Sequence, residues 1–374
     1  MTSAGQPERR RIARLPRLRE HEWRPVERAA VISVIAIAMG SLFVASYSLA
    51  LGDPVPHRID AALVGNPTAH ASTVAALRRL ARASLVFRRY GSRRAALHAV
   101  DEQRVYTALD LTSERPTLYV ASAAGSSVAR VLEQISAVDP TVRVVDTHPL
   151  PTSDPNGLDI FYLMLVGTIV GFIAVFQVHA NAGALELRRS VAVVVGLAVA
   201  AALVFTVVDG PLLHRLDLPL AESWGILTLD VLAVASFASL MISLIGRWAI
   251  LPTWLFFVVL GNSSSGGAVS PPLLPRPFAL VSQWLPSGAT VTSLRDAVYF
   301  RAYQHAQPIA VLATWATVLF AAWLVVSQAR RATAGRFANG SHSGIYEAGV
   351  RAGANERRPM SLVRDRQRHP LRES

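Results

Sequence analysis

Asp230 is the one charge placed well inside an apolar run, WGILTLDVLAVASF. A carboxylate at that depth is costly, so it must face the protein interior, a partner or water, and its chemistry is either a structural hydrogen bond or proton binding on a transport path. A proton relay needs company, and no second ionisable residue is evident within the spans. The remaining reactive side chains form no constellation. His57, His70, His98 and His148 are scattered, and no GxSxG, HExxH or paired-carboxylate pattern is present. With no cysteine, thiolate nucleophiles, thiolate metal sites and disulfides are excluded. All 37 basic residues are Arg, which removes the lysine of a phosphate-binding P-loop and any Schiff-base chemistry. The chain reads as a protein that is not an enzyme, needs no cofactor or metal, and carries no standard ATPase site of its own.

The elements that must hold Asp230 follow from composition. Hydrophobic residues make up 52% of the 374 and charged residues 17%, and the apolar residues are bunched into long blocks. Runs near the ~20 residues that cross a bilayer lie at 29–51, 160–178, 191–208, 224–245 and 308–327, with a sixth, shorter run at 249–260. The expected fold class is a polytopic α-helical membrane protein, with six transmembrane helices and an inserted α/β extracytoplasmic domain. The first run is too long for a signal-peptide core and has no clear cleavage site after it, so it is expected to stay as an anchor.

Arginine gives the orientation. Eight precede the first span (Arg9, Arg10, Arg11, Arg14, Arg17, Arg19, Arg24, Arg28) and ten follow the last, so both termini are expected in the cytoplasm. That needs an even number of crossings, and the short run must count as one. The twelve arginines between the first two spans do not oppose this, because long loops cross regardless of charge. Residues 1–28 are expected to form an Arg-rich interfacial segment and residues 328–374 an Arg-rich disordered tail. Their net positive charge fits contact with anionic lipid at the cytoplasmic face. Nucleic acid is not expected as a partner, because the tails lack interleaved aromatics or a reader motif.

Residues 52–159 alternate strand-like and helix-like stretches: RIDAALVG, STVAALRRLARA, SLVFRRY, SRRAALHAVDEQ, VYTALDL, TLYVASA, SSVARVLEQISAV and RVVDT. Alternation of this kind favours a partly parallel sheet. The GSS at Gly125 opens the third helix, either as a plain cap or as an anion-holding turn. Without a catalytic pattern, the segment reads as a binding or lid module.

The run 249–260 ends abruptly in LGNSSSGGAVSPPLLP. Twelve helical residues reach only ~18 Å, short of the hydrocarbon thickness, and the next apolar piece, FALVSQWLPSGATVTSLRDAVYF, is broken by Pro286 and Gly288. Residues 261–300 are therefore expected to form a re-entrant element within the five-helix domain of residues 160–327. Irregular backbone at that depth is tolerated only where protein or a wet cavity surrounds it. Gly261, Asn262, Ser263, Ser264, Ser265, Gly266 and Gly267 are thus candidates for an interior or a pathway, with Asp230; the alternative is an ordinary outer loop.

The stretch LGNSSSGGAVSPPLLP, followed by QWLPSGA and SLRDAVYF, resembles bacterial membrane proteins of the type-2 exporter class of ABC transporter permeases, in the group related to phage infection protein. Where that group has proline after Gly-Asn, this chain has Ser263; Ser264, Ser265, Gly266 and Gly267 match. The resemblance covers most of residues 29–327. It implies a homo- or heterodimer of six-span halves in the bacterial plasma membrane, moving a hydrophobic or amphipathic substrate outward, powered by a separate ATPase subunit. The cytoplasmic loop HANAGALELRRS is the expected coupling site, through Glu186, Arg188 and Arg189, unless those arginines merely enforce topology. Gly167 with Gly171, and Gly196 with Ala200, form small-residue pairs for helix packing within the chain or between chains. Two other readings stay open: a non-transporting envelope scaffold or receptor, and a proton-coupled transporter using Asp230.

Overall fold

The computed structural model describes residues 25–52, 54–182 and 185–355, with side chains described as far as residue 333 except at 28. The interfacial segment expected at the N-terminus therefore lies largely outside the described residues.

Helix α1 (Pro25–Leu51) leads into a sheet-forming unit built from β1 (Ile59–Gly65), α2 (Ala71–Leu80), β2 (Leu85–Arg89), α3 (Arg93–Asp101), β3 (Thr107–Leu111), β4 (Thr117–Val120), α4 (Ser126–Glu133), α5 (Ile135–Val138) and β5 (Arg143–Asp146). The five strands stand in the order β2-β1-β3-β4-β5. Only β3 and β4 run antiparallel, and they are joined by the short turn at residues 112–116. Every other pair is parallel and needs a helical crossover. Strand β1 shows why the chain pairs this way. Ile59, Ala61 and Leu63 enter one apolar cluster and Ala62 and Val64 the other, so both faces of the strand are covered.

The sheet does not complete its own core. Val269, Leu273 and Leu274, from far along the chain, join Ile59, Leu109 and Leu132 in the first cluster, and Phe300 joins the second. A module confined to residues 52–159 is thus only part of the folded unit. The PPLLP that follows the glycines belongs to the sheet's packing.

The remaining helices are α6 (Asp159–Asn181), α7 (Leu187–Val207), α8 (Leu220–Ile245), α9 (Ile250–Trp254), α10 (Arg276–Ser282), α11 (Pro286–Tyr299) and α12 (Ala306–Asn355). Five helical runs are long and apolar enough to cross a membrane: Pro25–Leu51, Asp159–Asn181, Leu187–Leu212, Leu220–Asn262 and Ala306–Thr333. The chain is a helical membrane protein on that ground. At its centre stands α8, packed against α6, α7, α11 and α12. Helix α1 is peripheral, with 6% of its apolar window buried.

The run Leu220–Asn262 is 43 residues long, and as a straight helix at ~1.5 Å per residue it would far exceed a bilayer. It is a hairpin instead. Gly246 has φ +61°, a conformation few side chains permit, and turns the chain back. Phe237 before the turn stacks on Phe256 after it, with ring centroids 5.3 Å apart. The returning arm passes through α9 and then a wider, π-helical stretch, Leu255–Asn262.

Helix α12 runs on to Asn355, through the first part of the stretch 328–374 read as a tail, and its turns there, QARRATAGRF, are rich in the helix formers Ala and Arg; the rest of that stretch, 356–374, lies outside the described residues. One expectation needs correction. Arg188 and Arg189 lie in the first turn of α7 rather than in a loop, because Glu186 is already its N-cap.

Candidate functional site

Asp230 lies near the middle of α8 and is fully buried. Helix α11 supplies the one side-chain hydrogen bond it has among the described residues, from Thr290 Oγ1 to Asp230 Oδ1 at 2.9 Å. Asp230 Oδ2 has no partner among the described residues. Across the helix interface stands Gly167 of α6, where a Cβ would meet Asp230 Oδ2 at 2.6 Å. One turn further along, a Cβ at Gly171 would meet Val234 at 3.0 Å. This small-residue pair therefore serves packing within the chain. Gly196 and Ala200 are exposed on α7, with nothing within 4 Å of a Cβ at Gly196, so no helix among the described residues packs there.

Helix α11 continues the polar character on both sides of Thr290. Ser287 and Ser293, at i−3 and i+3, lie on the same face as Thr290, and both are buried with hydroxyls lacking a partner among the described residues. Ser287 Oγ lies where a Cβ on Gly261 would come within 2.7 Å. The amide of Asn262, beside Gly261, and the Tyr47 hydroxyl of α1 lie within reach of each other and have no other partner among the described residues. Each such group costs ~1–3 kcal/mol if left unsatisfied. Ser287, Thr290 and Ser293 together make a buried polar row on one face of α11.

The Gly-Ser stretch sits at the head of this row and is buried throughout 261–267. Its serines answer a local problem. A helix that ends leaves its last carbonyls without amide partners. Ser263 donates to the Val259 carbonyl, Ser264 to Leu260 O at 2.5 Å and Ser265 to Asn262 O at 2.8 Å. Gly266, at φ +75°, then turns the chain, and Gly267 fits against the Phe161 ring, 2.8 Å from where its Cβ would be. The Gly266 carbonyl accepts from Arg295 Nη2 at 3.1 Å. Helix α1 is tied to the same point: Ser46 Oγ lies 2.7 Å from Val259 O and 3.0 Å from Ser263 Oγ.

Beyond Gly267 the chain meets the sheet. Ser270 N donates to Ser127 Oγ at 2.9 Å, and the two hydroxyls lie 2.8 Å apart. Asp296, at the far end of α11, accepts from Gln103 Nε2 at 2.6 Å and from the His305 amide at 3.1 Å. His148 stacks on Phe300 and His98 meets Tyr303 edge-on. These histidines dock the sheet on the helices. Among the described residues no group of His, Asp and Glu is placed to hold a metal. Gly125 is the N-cap of α4 without a side-chain cap, and Ser126 Oγ turns to Asn156 O at 3.0 Å.

Next to this docking region, Arg215 holds Asp159 at 2.8 and 3.1 Å. The hydrogen bonds that Arg215 donates to Asp159 raise its pKa above the ordinary value. Asp154 accepts the amides of Leu158 and Asp159, capping the start of α6.

Glu186, Arg188 and Arg189 are exposed at the opposite end of the bundle, with Arg189 Nε 3.9 Å from Glu186. Two cations in a helix's first turn oppose its dipole by ~0.3–1 kcal/mol each, so local helix stability does not explain them. Sequence reasoning singled out Asp230 and the glycines but not Thr290, Ser287, Ser293, Ser46 or Tyr47. The signal was the three-residue spacing of Ser287, Thr290 and Ser293, hidden behind the reading of Pro286 and Gly288 as interruptions. No family model, curated protein or solved structure matches this chain.

Proposed function

We propose that this chain is the membrane subunit of an exporter of the type-2 ABC class. In this reading the hairpin at Gly246 supplies the fourth and fifth of six crossings. Both termini are cytoplasmic, the sheet unit lies outside, and the membrane is the bacterial plasma membrane. The observation that carries the proposal is the buried Gly-Ser stretch: a short returning helix that breaks into irregular backbone, sealed on all sides by α1, α6, α11 and the sheet. Backbone of that kind at membrane depth is tolerated only in a protein interior or along a cavity, and the unpartnered hydroxyls of Ser287 and Ser293 lead away from it. Energy must come from a separate ATPase, since the chain has no lysine for a P-loop. Exposed Glu186, Arg188 and Arg189 are its proposed contact, and the subunit works as a homo- or heterodimer.

The test is co-purification. The full chain, solubilised in mild detergent, should retain a nucleotide-hydrolysing subunit at fixed stoichiometry, and Arg188→Glu with Arg189→Glu should release it. A chain that is never found with such a subunit, and that transports without ATP, would sink the proposal.

One observation favours a second reading. The free oxygen of Asp230, in line with unpartnered serines, suits a proton-binding site, and in that case the chain is a proton-coupled transporter. Proton flux into liposomes that is independent of any ATPase and absent in Asp230→Asn distinguishes it.

A further inference from the structure

A cavity of about 300 Å³ opens at the end of the bundle away from the sheet, between α6, α7, α8 and α12. Its walls are mainly apolar, with Val175, Val194, Leu197, Ile242 and Trp323, and carry the hydroxyls of Ser239, Ser243 and Ser327. Its mouth carries the guanidinium groups of Arg330 and Arg331, with His179 and Ser190 beside them. That size and this combination of apolar walls with a few convergent polar groups are those of a ligand pocket rather than a packing defect.

The two arginines are built in rather than loose. Arg330 Nη2 donates to Leu244 O at 2.8 Å, at the end of α8, and Arg331 Nη2 donates to Leu185 O at 2.6 Å. Each thus spends one edge of its guanidinium on a neutral carbonyl. Among the described residues, neither is paired with a carboxylate, and Glu186, next in the chain to the Leu185 that Arg331 binds, faces Arg189. The remaining N–H groups leave positive charge at the mouth with no carboxylate among the described residues to meet it. Helix α7 begins at Leu187, which also lines the cavity, so its positive dipole end adds to the same field.

We propose that this cavity binds an anionic amphiphile, with its oxyanion headgroup on Arg330, Arg331 and His179 and an acyl segment between α6, α7 and α8. A neutral apolar ligand would leave the arginines unanswered, and a soluble anion would leave the apolar walls wet. Two sources share the chemistry: an anionic phospholipid of the adjoining leaflet, and a free fatty acid. The assignment rests on the helices being membrane-spanning, and it gives the exporter reading the sign of its substrate's charge. Binding needs no ATPase, so it can hold where the exporter reading fails.

The full chain in neutral detergent is titrated by native mass spectrometry with phosphatidylglycerol, phosphatidylcholine of the same acyl chains, oleate, and glycerol 3-phosphate. One phosphatidylglycerol or oleate should bind at least about tenfold tighter than phosphatidylcholine, the scale of a single charge-assisted contact. Preference for the first identifies a bilayer lipid and preference for oleate a free fatty acid. Arg330→Gln with Arg331→Gln keeps donors for the two carbonyls while removing charge, and should abolish that preference. Arg330→Lys with Arg331→Lys, which holds the charge, should preserve it and guards against misfolding. Val194→Trp, filling the apolar part, should weaken both lipids. Arg276→Gln, exposed beside the sheet, should change nothing. Equal binding of the two phospholipids by the native chain, equal loss in Arg276→Gln, or glycerol 3-phosphate binding as tightly as the lipid would overturn the proposal.

Discussion

Gly167 and Asp230 fit against each other across the α6–α8 contact, so closely that one added methyl would stand 2.6 Å from the carboxylate. Gly167→Ala should therefore push Asp230 off Thr290 and cost ~1–3 kcal/mol, the usual penalty for overpacking, read as a lower Tm in detergent. Asp230→Ala removes the obstacle. The double variant should be less destabilised than the sum of the singles, and simple additivity would show that the two residues are not coupled.

Asp230→Asn keeps the shape and leaves an acceptor for Thr290, so folding should be close to native. Transport should lose its dependence on pH if the carboxylate carries protons. Identical pH profiles for the variant and the native chain would remove the proton-coupled reading.

Ser265 is 2% exposed, while Thr68 stands in the open before α2. With no native thiol to interfere, Ser265→Cys should react with a bulky, membrane-impermeant reagent roughly tenfold or more slowly than Thr68→Cys, because modification must wait for local opening. Gly266→Leu with Gly267→Leu should damage assembly. The first sits at positive φ and the second against Phe161. Rapid labelling at both positions with a functional double-leucine chain would make the stretch an ordinary loop.

Acid should weaken the sheet through Asp110. Burial alone would raise this carboxyl, but the Thr112 hydroxyl and amide and the Arg93 guanidinium outweigh it and hold the pKa below its ordinary value. A carboxyl whose folded value is depressed stabilises the fold above its unfolded value, about 4, and that contribution is lost as pH falls through the folded value. Hydrogen exchange at Thr107–Leu111 should show steady protection from pH 7 to 5 and a fall below about pH 4. In Asp110→Asn the acid-sensitive part should be absent.

A reporter fused at His98 should lie outside the cell and one after α12 inside. A cytoplasmic reporter at His98 would reverse the whole topology argument.

The sequence made the strands legible because they are local events. RIDAALVG and RVVDT lie within a residue of β1 and β5, since alternation and turn residues speak for themselves over five to seven positions. The long apolar helices were equally plain. The hairpin was half legible: the shortness of 249–260 was visible, but Gly246 reads like any glycine until Phe237 and Phe256 are seen to touch. What stayed hidden was long-range. Nothing in PPLLP announces that Leu273 and Leu274 pack on Leu109, or in LRDAVYF that Phe300 completes the far face of the sheet and Asp296 reaches Gln103. Gly288 was read as a helix breaker. It is the place where α11 passes so close to the Ser282 carbonyl that no side chain fits.

That borrowed core sets an order of events during synthesis. β5 leaves the ribosome long before Leu274 and Phe300 do, and at ~5–20 residues per second the wait is on the order of ten seconds. For that interval the sheet has both faces short of their final cover, while α6, α7 and α8 are still being delivered to the membrane. The nascent unit is then open to chaperones, proteases and its own neighbours. Slowing translation between α6 and α11 should lower the yield of intact protein more than slowing it after α12.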